Sequence, residues 1–234
     1  MPKERLDKIL ASQNFGSRKE AGALLRRGAV TVNGAVVKQA DAKADPEHDT
    51  IAVEGRRLDF QRFVYLMMNK PAGVLSAARD TRRKTVVDLL PPDLSRRGLF
   101  PAGRLDRDTE GLLIITDDGD FAHRMLAPKS HVFKLYEAEL DAPATPEDVR
   151  AFAQGLPLSD RVCLPAELIL LEGARVRVKI REGKFHQVKR MFQAVGKTVL
   201  HLKRLQIGAL PLDPTLLPGQ ARPLCPEERD RIFR

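Results

Sequence analysis

The stretch Gly103-Arg104-Leu105-Asp106-Arg107-Asp108-Thr109-Glu110-Gly111-Leu112-Leu113-Ile114-Ile115-Thr116 constrains this chain more than any other. Two glycines bracket a cluster of Arg, Asp, Arg, Asp and Glu, and an apolar run follows at once. The pattern reads as a charged loop that runs straight into a buried strand. Rigid scaffolds place catalytic groups in such loops. These residues alone leave two roles open for Asp106: a solvated residue capping a turn, or a carboxylate doing covalent chemistry.

Charge narrows the choice of partner. Lys and Arg number 40 against 31 Asp and Glu, a formal net charge of +9. That excess suggests a polyanion, either nucleic acid or an anionic membrane. No apolar run approaches the roughly 20 residues that span a bilayer, and the start Met-Pro-Lys-Glu-Arg lacks a signal-peptide apolar core. The expectation is a cytoplasmic protein without a membrane partner. Cys163 and Cys225 are far apart with no Cys or His at metal spacing, which predicts free thiols and no metal. Neither GxxxxGK[ST] nor GxGxxG occurs, so a nucleotide cofactor has no obvious cradle.

Residues 5–27 read as two short helices. Leu6, Ile9 and Leu10 have helical spacing, Gly16 ends that unit, and Ser17-Arg18-Lys19-Glu20 is a capping-box pattern. After Gly28 the period becomes two: Val30 and Val32 alternate with Thr31, Asn33-Gly34 signals a type I′ turn, and Val36 and Val37 begin the return strand. A third strand falls near Thr50–Val53. This helix–helix–hairpin module is followed by 55–62, which reads as a linker, so the expected division is 1–60 and 61–234. The module carries Arg5, Lys8, Arg18, Lys19, Arg26 and Arg27 beside the hairpin. These are candidates for phosphate contacts, which would grip RNA without reading its sequence.

The remainder reads as several strands with few long helices. Phe63–Val74 is a strand stopped by Lys70-Pro71 and a glycine turn. Residues 75–84, with Arg79, Arg82, Arg83 and Lys84, read as a mobile basic loop, and Thr85–Leu90 as a helical turn. Asp120 is expected to cap a helix through Leu126. Val132–Leu140 is a strand whose Lys134, Tyr136, Ala138 and Leu140 share a face. Thr145 and Pro146 open a helix. Arg175–Arg181 alternates three branched apolar residues with four cations, which face solvent or RNA. Val188, Met191, Phe192 and Val195 form the apolar stripe of a helix ended by Gly196. Thr198–Leu205 is a strand with Leu200, Leu202 and Arg204 on one face, and a short helix begins near Pro226.

The N-terminal module resembles the S4 RNA-binding fold through Arg5-Leu6-Asp7-Lys8, Ser17-Arg18-Lys19-Glu20 and Val30-Thr31-Val32-Asn33-Gly34. The larger part resembles the pseudouridine synthases that carry such a module. The matching stretches are Asn69-Lys70-Pro71-Ala72-Gly73, the Gly103-Arg104-Leu105-Asp106 loop with Thr109 and Gly111-Leu112-Leu113, Lys134-Leu135-Tyr136, and Glu182-Gly183-Lys184-Phe185-His186-Gln187-Val188-Lys189-Arg190-Met191. Leu135 departs from the threonine common in relatives, but it is expected to face away from Tyr136. The resemblance implies an α+β chain whose catalytic domain is a mixed, mainly antiparallel sheet. It implies isomerisation of a uridine in ribosomal RNA without cofactor or metal. Its nucleophilic Asp maps onto Asp106, its base-stacking Tyr onto Tyr136, the cation paired with the Asp onto Lys189, and a pocket-lining apolar residue onto Leu202. Arg104 is a candidate wedge or phosphate clamp. Within the family the His-Gln-Val-Lys-Arg-Met reading favours small-subunit (16S) over large-subunit RNA, met free or in an assembling particle. A monomer is expected.

Each role has a chemical reason. Breaking the C1′–N1 bond builds positive charge at C1′, which a carboxylate can stabilise or attack. A nearby ammonium keeps that carboxylate ionised. An aromatic ring holds the freed uracil for reattachment, and a paired base must first be flipped out. Two other classes compete: a non-catalytic RNA-binding assembly protein, and a nucleosidase using Asp108 or Glu110 as a second carboxylate.

Overall fold

The structure, a computed structural model, describes residues 3–234; Met1 and Pro2 of the charged N-terminus lie outside the described residues. The chain forms two compact units. The smaller contains the chain up to Phe63 together with Ser95–Gly98; the larger contains Val64–Leu94 and Leu99–Arg234.

In the smaller unit, helices Leu6–Ser12 and Arg18–Arg26 bury Leu6, Ile9, Leu10, Ala21 and Leu25 against Val30, Ile51 and Val53. Ser17 caps the second helix with Glu20 reaching back, so the capping box is formed on both sides. Strands Val30–Val32 and Ala35–Val36 pair across Asn33-Gly34, whose φ values of 52° and 83° are the two positive angles a type I′ turn needs. Ile51–Val53 pairs with Val30–Val32. The expected linker is partly wrong: Arg56–Arg57 is a fourth strand paired with Ile51–Val53. Glu54 and Gly55 both take positive φ, which folds the chain back on itself before any linker begins.

The larger unit is built on a sheet of nine strands among the described residues. Tyr65–Lys70 lies antiparallel to Glu110–Thr116, and Lys134–Leu140 is flanked by Arg175–Ile180 and Val199–Ile207, both antiparallel. One parallel pairing, Lys203 with Glu110 and Arg204 with Gly111, joins these two halves. The sheet is therefore mixed and mainly antiparallel. Helix Gln187–Ala194 places Val188, Met191 and Phe192 in the apolar cluster that also holds Leu105, Tyr136 and Leu202. Along Lys134–Leu140 every second residue is buried, beginning with Lys134, while Leu135 lies on the other face.

Four further expectations are corrected or refined. The Gly119–Leu126 helix is capped by Asp118, not Asp120, because Asp118 alone aims a carboxylate at the Phe121 N–H. Leu200 leaves the Leu202 face and is 65% exposed: the register slips so that Glu139 pairs with His201 and Leu140 with Val199. The 75–84 segment is closed at its base, where Leu75 N–H donates to Lys84 O and Val86 N–H to Leu75 O. The outward cations of Arg175–Ile180 are partly neutralised, Arg177 by Glu137 and Lys179 by Glu167. Both cysteines are free thiols. Among the described residues, no helix is long and apolar enough to cross a membrane.

Candidate active site

The charged loop is held from below by a lysine. Lys70 is fully buried, and its ammonium donates to the backbone oxygens of Pro71, Arg107 and Thr109 at 2.9, 3.2 and 2.9 Å. Burial pushes it down to about 8, opposed by the carboxylates of Asp108, Glu110 and Asp106. Gly73 N–H donates to Arg107 O, and Arg107 Nε donates back to Gly73 O. Ser76 Oγ donates to Leu105 O and accepts from Leu105 N–H. The Lys-Pro-Ala-Gly turn and the segment after it thus clamp the backbone on both sides of Asp106. Gly111 completes the loop. Its φ is 98°, and a Cβ there would stand 2.2 Å from Arg204 O, so only glycine lets the parallel pairing close.

Asp106 is three-quarters buried. His186 Nε2 lies 3.5 Å from one of its carboxylate oxygens and Lys189 Nζ 3.7 Å from the other. The expected Asp106–Lys189 pair is therefore present, but the shorter bond of Lys189 goes to Asp108 at 2.6 Å. That bond holds Asp108 below its ordinary range. His186 has left-handed backbone (φ 48°) and stacks on Phe185, ring centroids 3.8 Å apart. Gln187 anchors this segment from inside: its buried amide donates to Glu182 and accepts from the Lys184 N–H.

Tyr136 is buried on the central strand, directly opposite Arg204. Arg204 Nε donates to Leu112 O at 2.7 Å and Nη1 reaches Tyr136 Oη at 3.4 Å. Leu202 is buried beside Ala138 on the same face. Arg104 is exposed with no bonded partner among the described residues.

The six cations expected to grip RNA divide into two sets. Arg5 and Arg18 both bond the buried carboxylate of Asp7 at 3.0 Å, holding it below its ordinary range. Lys8 pairs with Glu4 at 2.6 Å and Arg27 with Glu54. Lys19 and Arg26 are exposed with no carboxylate partner among the described residues. Sequence reasoning did not assign site roles to Lys70, Lys134 or Arg204. Lys70 and Lys134 lay inside the quoted motifs, but only burial distinguishes them from surface lysines.

The two units and the mixed sheet that carries the Asp106 loop are those of a known family of RNA-modifying enzymes. Residues 64–194 match the RNA pseudouridylate synthase family and residues 4–51 the S4 domain. The chain is 46% identical over 229 residues to an uncharacterized RNA pseudouridine synthase of Bacillus subtilis (strain 168), covering 96% of each. It is 42% identical over 227 residues to the ribosomal small subunit pseudouridine synthase A of Escherichia coli (strain K12), covering 96% of this chain and 97% of that one. A crystal structure of a pseudouridylate synthase superposes with a TM-score of 0.69 at 36% identity, over 98% of this chain and 99% of the other. The chain belongs to the RNA pseudouridine synthase family and is an enzyme of that class.

Proposed function

We propose that the enzyme converts one uridine of small-subunit ribosomal RNA to pseudouridine in the cytoplasm, as a monomer, with Asp106 as nucleophile. The observation that carries the Asp106 role is its placement: a clamped, three-quarters buried carboxylate with Lys189 and His186 on its two oxygens. The carboxylate is the group that positive charge at C1′ calls for. Tyr136 holds the uracil by stacking, Leu202 lines the pocket and Arg104 meets the phosphates of the flipped nucleotide. The work divides near residue 60, with 1–60 gripping RNA and 61–234 doing chemistry. Small-subunit RNA is supported by the name of the Escherichia coli relative. No step of this reaction calls for a cofactor or metal.

Asp106→Asn tests the nucleophile. Pseudouridine formation should fall by at least about 10³-fold, while RNA affinity stays within a few-fold. Full turnover in the variant rejects the role. Deleting the gene and mapping pseudouridines in both ribosomal RNAs tests the substrate: a site lost only from large-subunit RNA overturns the small-subunit assignment.

A further inference from the structure

Two cations beside Tyr136 have no acid to hold them. Lys134 is 7% exposed and Arg204 5% exposed, on the same face of neighbouring strands as Tyr136. Lys134 stands opposite Ile180 and Ile207 in the sheet register, and both are buried. Among the described residues its ammonium has neither a hydrogen bond nor an ion pair, and no carboxylate acts on it; its charged neighbour is Arg204. Burial pushes it down to about 8, which leaves it charged at neutral pH. Arg204 spends two of its nitrogens on Leu112 O and Tyr136 Oη, and its Nη2 is buried with no partner among the described residues.

This arrangement is costly unless something answers it. Buried charges are normally paired, and a buried donor left unmade is rare. Here two positive groups repel each other, and Arg204 Nη2 is a buried donor left unmade among the described residues. Arg222, by contrast, is bonded to both Asp213 and Glu228. Lys134 and Arg204 are built to receive negative charge that arrives with the substrate.

The geometry points to Lys134 and Arg204 as catalytic residues that stabilise the uracil as it leaves C1′. This rests on the assignment of Tyr136 as the ring on which the uracil lies. When the C1′–N1 bond breaks, its electron pair passes into the uracil, and the ring oxygens carry the negative charge. The Asp106 carboxylate takes up the positive charge at C1′ and is released again when C5 bonds there. The two cations donate N–H bonds to the charged uracil edge. After rotation the ring returns an electron pair from C5 to C1′, the C5 proton departs to a base, and N1 takes up a proton, so the product is an isomer of the substrate. A phosphate is the other anion in reach, but it stays on the sugar side with Asp106. Donors beside the Tyr136 ring meet the base instead. Such pre-placed donors act on charge that exists only during reaction, so they raise kcat more than binding.

Single-turnover kinetics on the ribosomal RNA transcript that the wild-type enzyme modifies tests this. Lys134→Met keeps the stem and removes the charge. The expected result is a kcat lower by about 10²-fold, with KM within about threefold and an undiminished melting temperature. Arg204→Lys, which keeps a cation at the site, should lose less than Arg204→Met, and Lys134→Arg should recover part of the Lys134→Met loss. A folded Lys134→Met with kcat within threefold of wild type overturns the assignment. So does a rise in KM with kcat unchanged, which would mark a ground-state phosphate contact. Should Lys134→Met fail to fold, Lys134→Gln, which keeps a donor without charge, is read by the same criteria. Asp106→Asn run alongside separates the two claims: retained turnover there faults the nucleophile, while the lysine and arginine variants report only on the departing base.

Discussion

Four cations of the smaller unit and three buried cations of the larger unit are held in different ways. In the smaller unit Arg5 and Arg18 close on Asp7, Lys8 on Glu4 and Arg27 on Glu54. In the larger unit Lys70 donates only to backbone oxygens, Lys134 has no bonded partner among the described residues, and Arg204 keeps a buried N–H unmade. The exposed pairs Lys8–Glu4 and Arg27–Glu54 are worth little individually. Buried cations of the second kind each carry a desolvation cost of several kcal/mol. A protein retains that cost where the charge is needed for chemistry or for holding a catalytic loop.

The sharpest way to break this contrast is Lys70→Met. The loop that carries Asp106 loses two of its tethers, at Arg107 and Thr109, while the buried charge and its desolvation cost are removed with them. We expect kcat to fall about 10²-fold from misplacement of the carboxylate, with an unchanged or higher melting temperature. Loss of stability matching the loss of rate would make Lys70 an ordinary core residue.

Alkaline pH probes the same cations through stability. Lys70 and Lys134 titrate at about 8 in the fold against 10.5 when exposed. Between those values the unfolded chain holds more protons, so unfolding free energy should rise with pH from about 8. The gain should stop near pH 10. Tyr65 is raised from 10.0 to about 12 by burial and by its bond to Asp118, so above 10 it ionises only in the unfolded chain and stability falls. Denaturant titrations across pH 7–11 check this, and Lys134→Met should flatten part of the rise.

In the smaller unit, Asp7→Ala leaves two guanidinium groups without their shared buried acceptor. A loss of about 1–2 kcal/mol is expected, visible as a lower denaturation midpoint and with little change in turnover. The smallest effect concerns RNA grip. Lys19 and Arg26, with no acid to release, should each contribute about 0.7–0.9 to the slope of log affinity against log salt. Arg27→Ala should contribute less, because its charge is already shared with Glu54. Equal slopes for all three would show that the carboxylate pairs do not compete with phosphate.

Much of the architecture was legible because it is local. Ser17 and Glu20 are three residues apart, as a capping box demands, and Asn33-Gly34 needs only its own two φ angles. The alternation of Lys134, Tyr136, Ala138 and Leu140 follows from the pleat. Where expectation failed, the deciding partner lay outside the local pattern or broke its regularity. Arg56–Arg57 became a strand because Ile51–Val53 offered an edge, and Leu200 turned outward because the register against Leu140 slips.

The site divides in the same manner. The residues by themselves determined the family and its candidate Asp106, Tyr136 and Lys189, because the stretches that carry them are specific and keep their order along the chain. Only the tertiary structure decided that Lys189 bonds Asp108 more closely than Asp106, that Lys70 clamps the loop, and that Lys134 and Arg204 lie buried without an acid. A lysine reads the same in a sequence whether water or hydrocarbon surrounds it. Its charge acquires a cost, and with it a role, only when residues far along the chain close around it and remove the solvent.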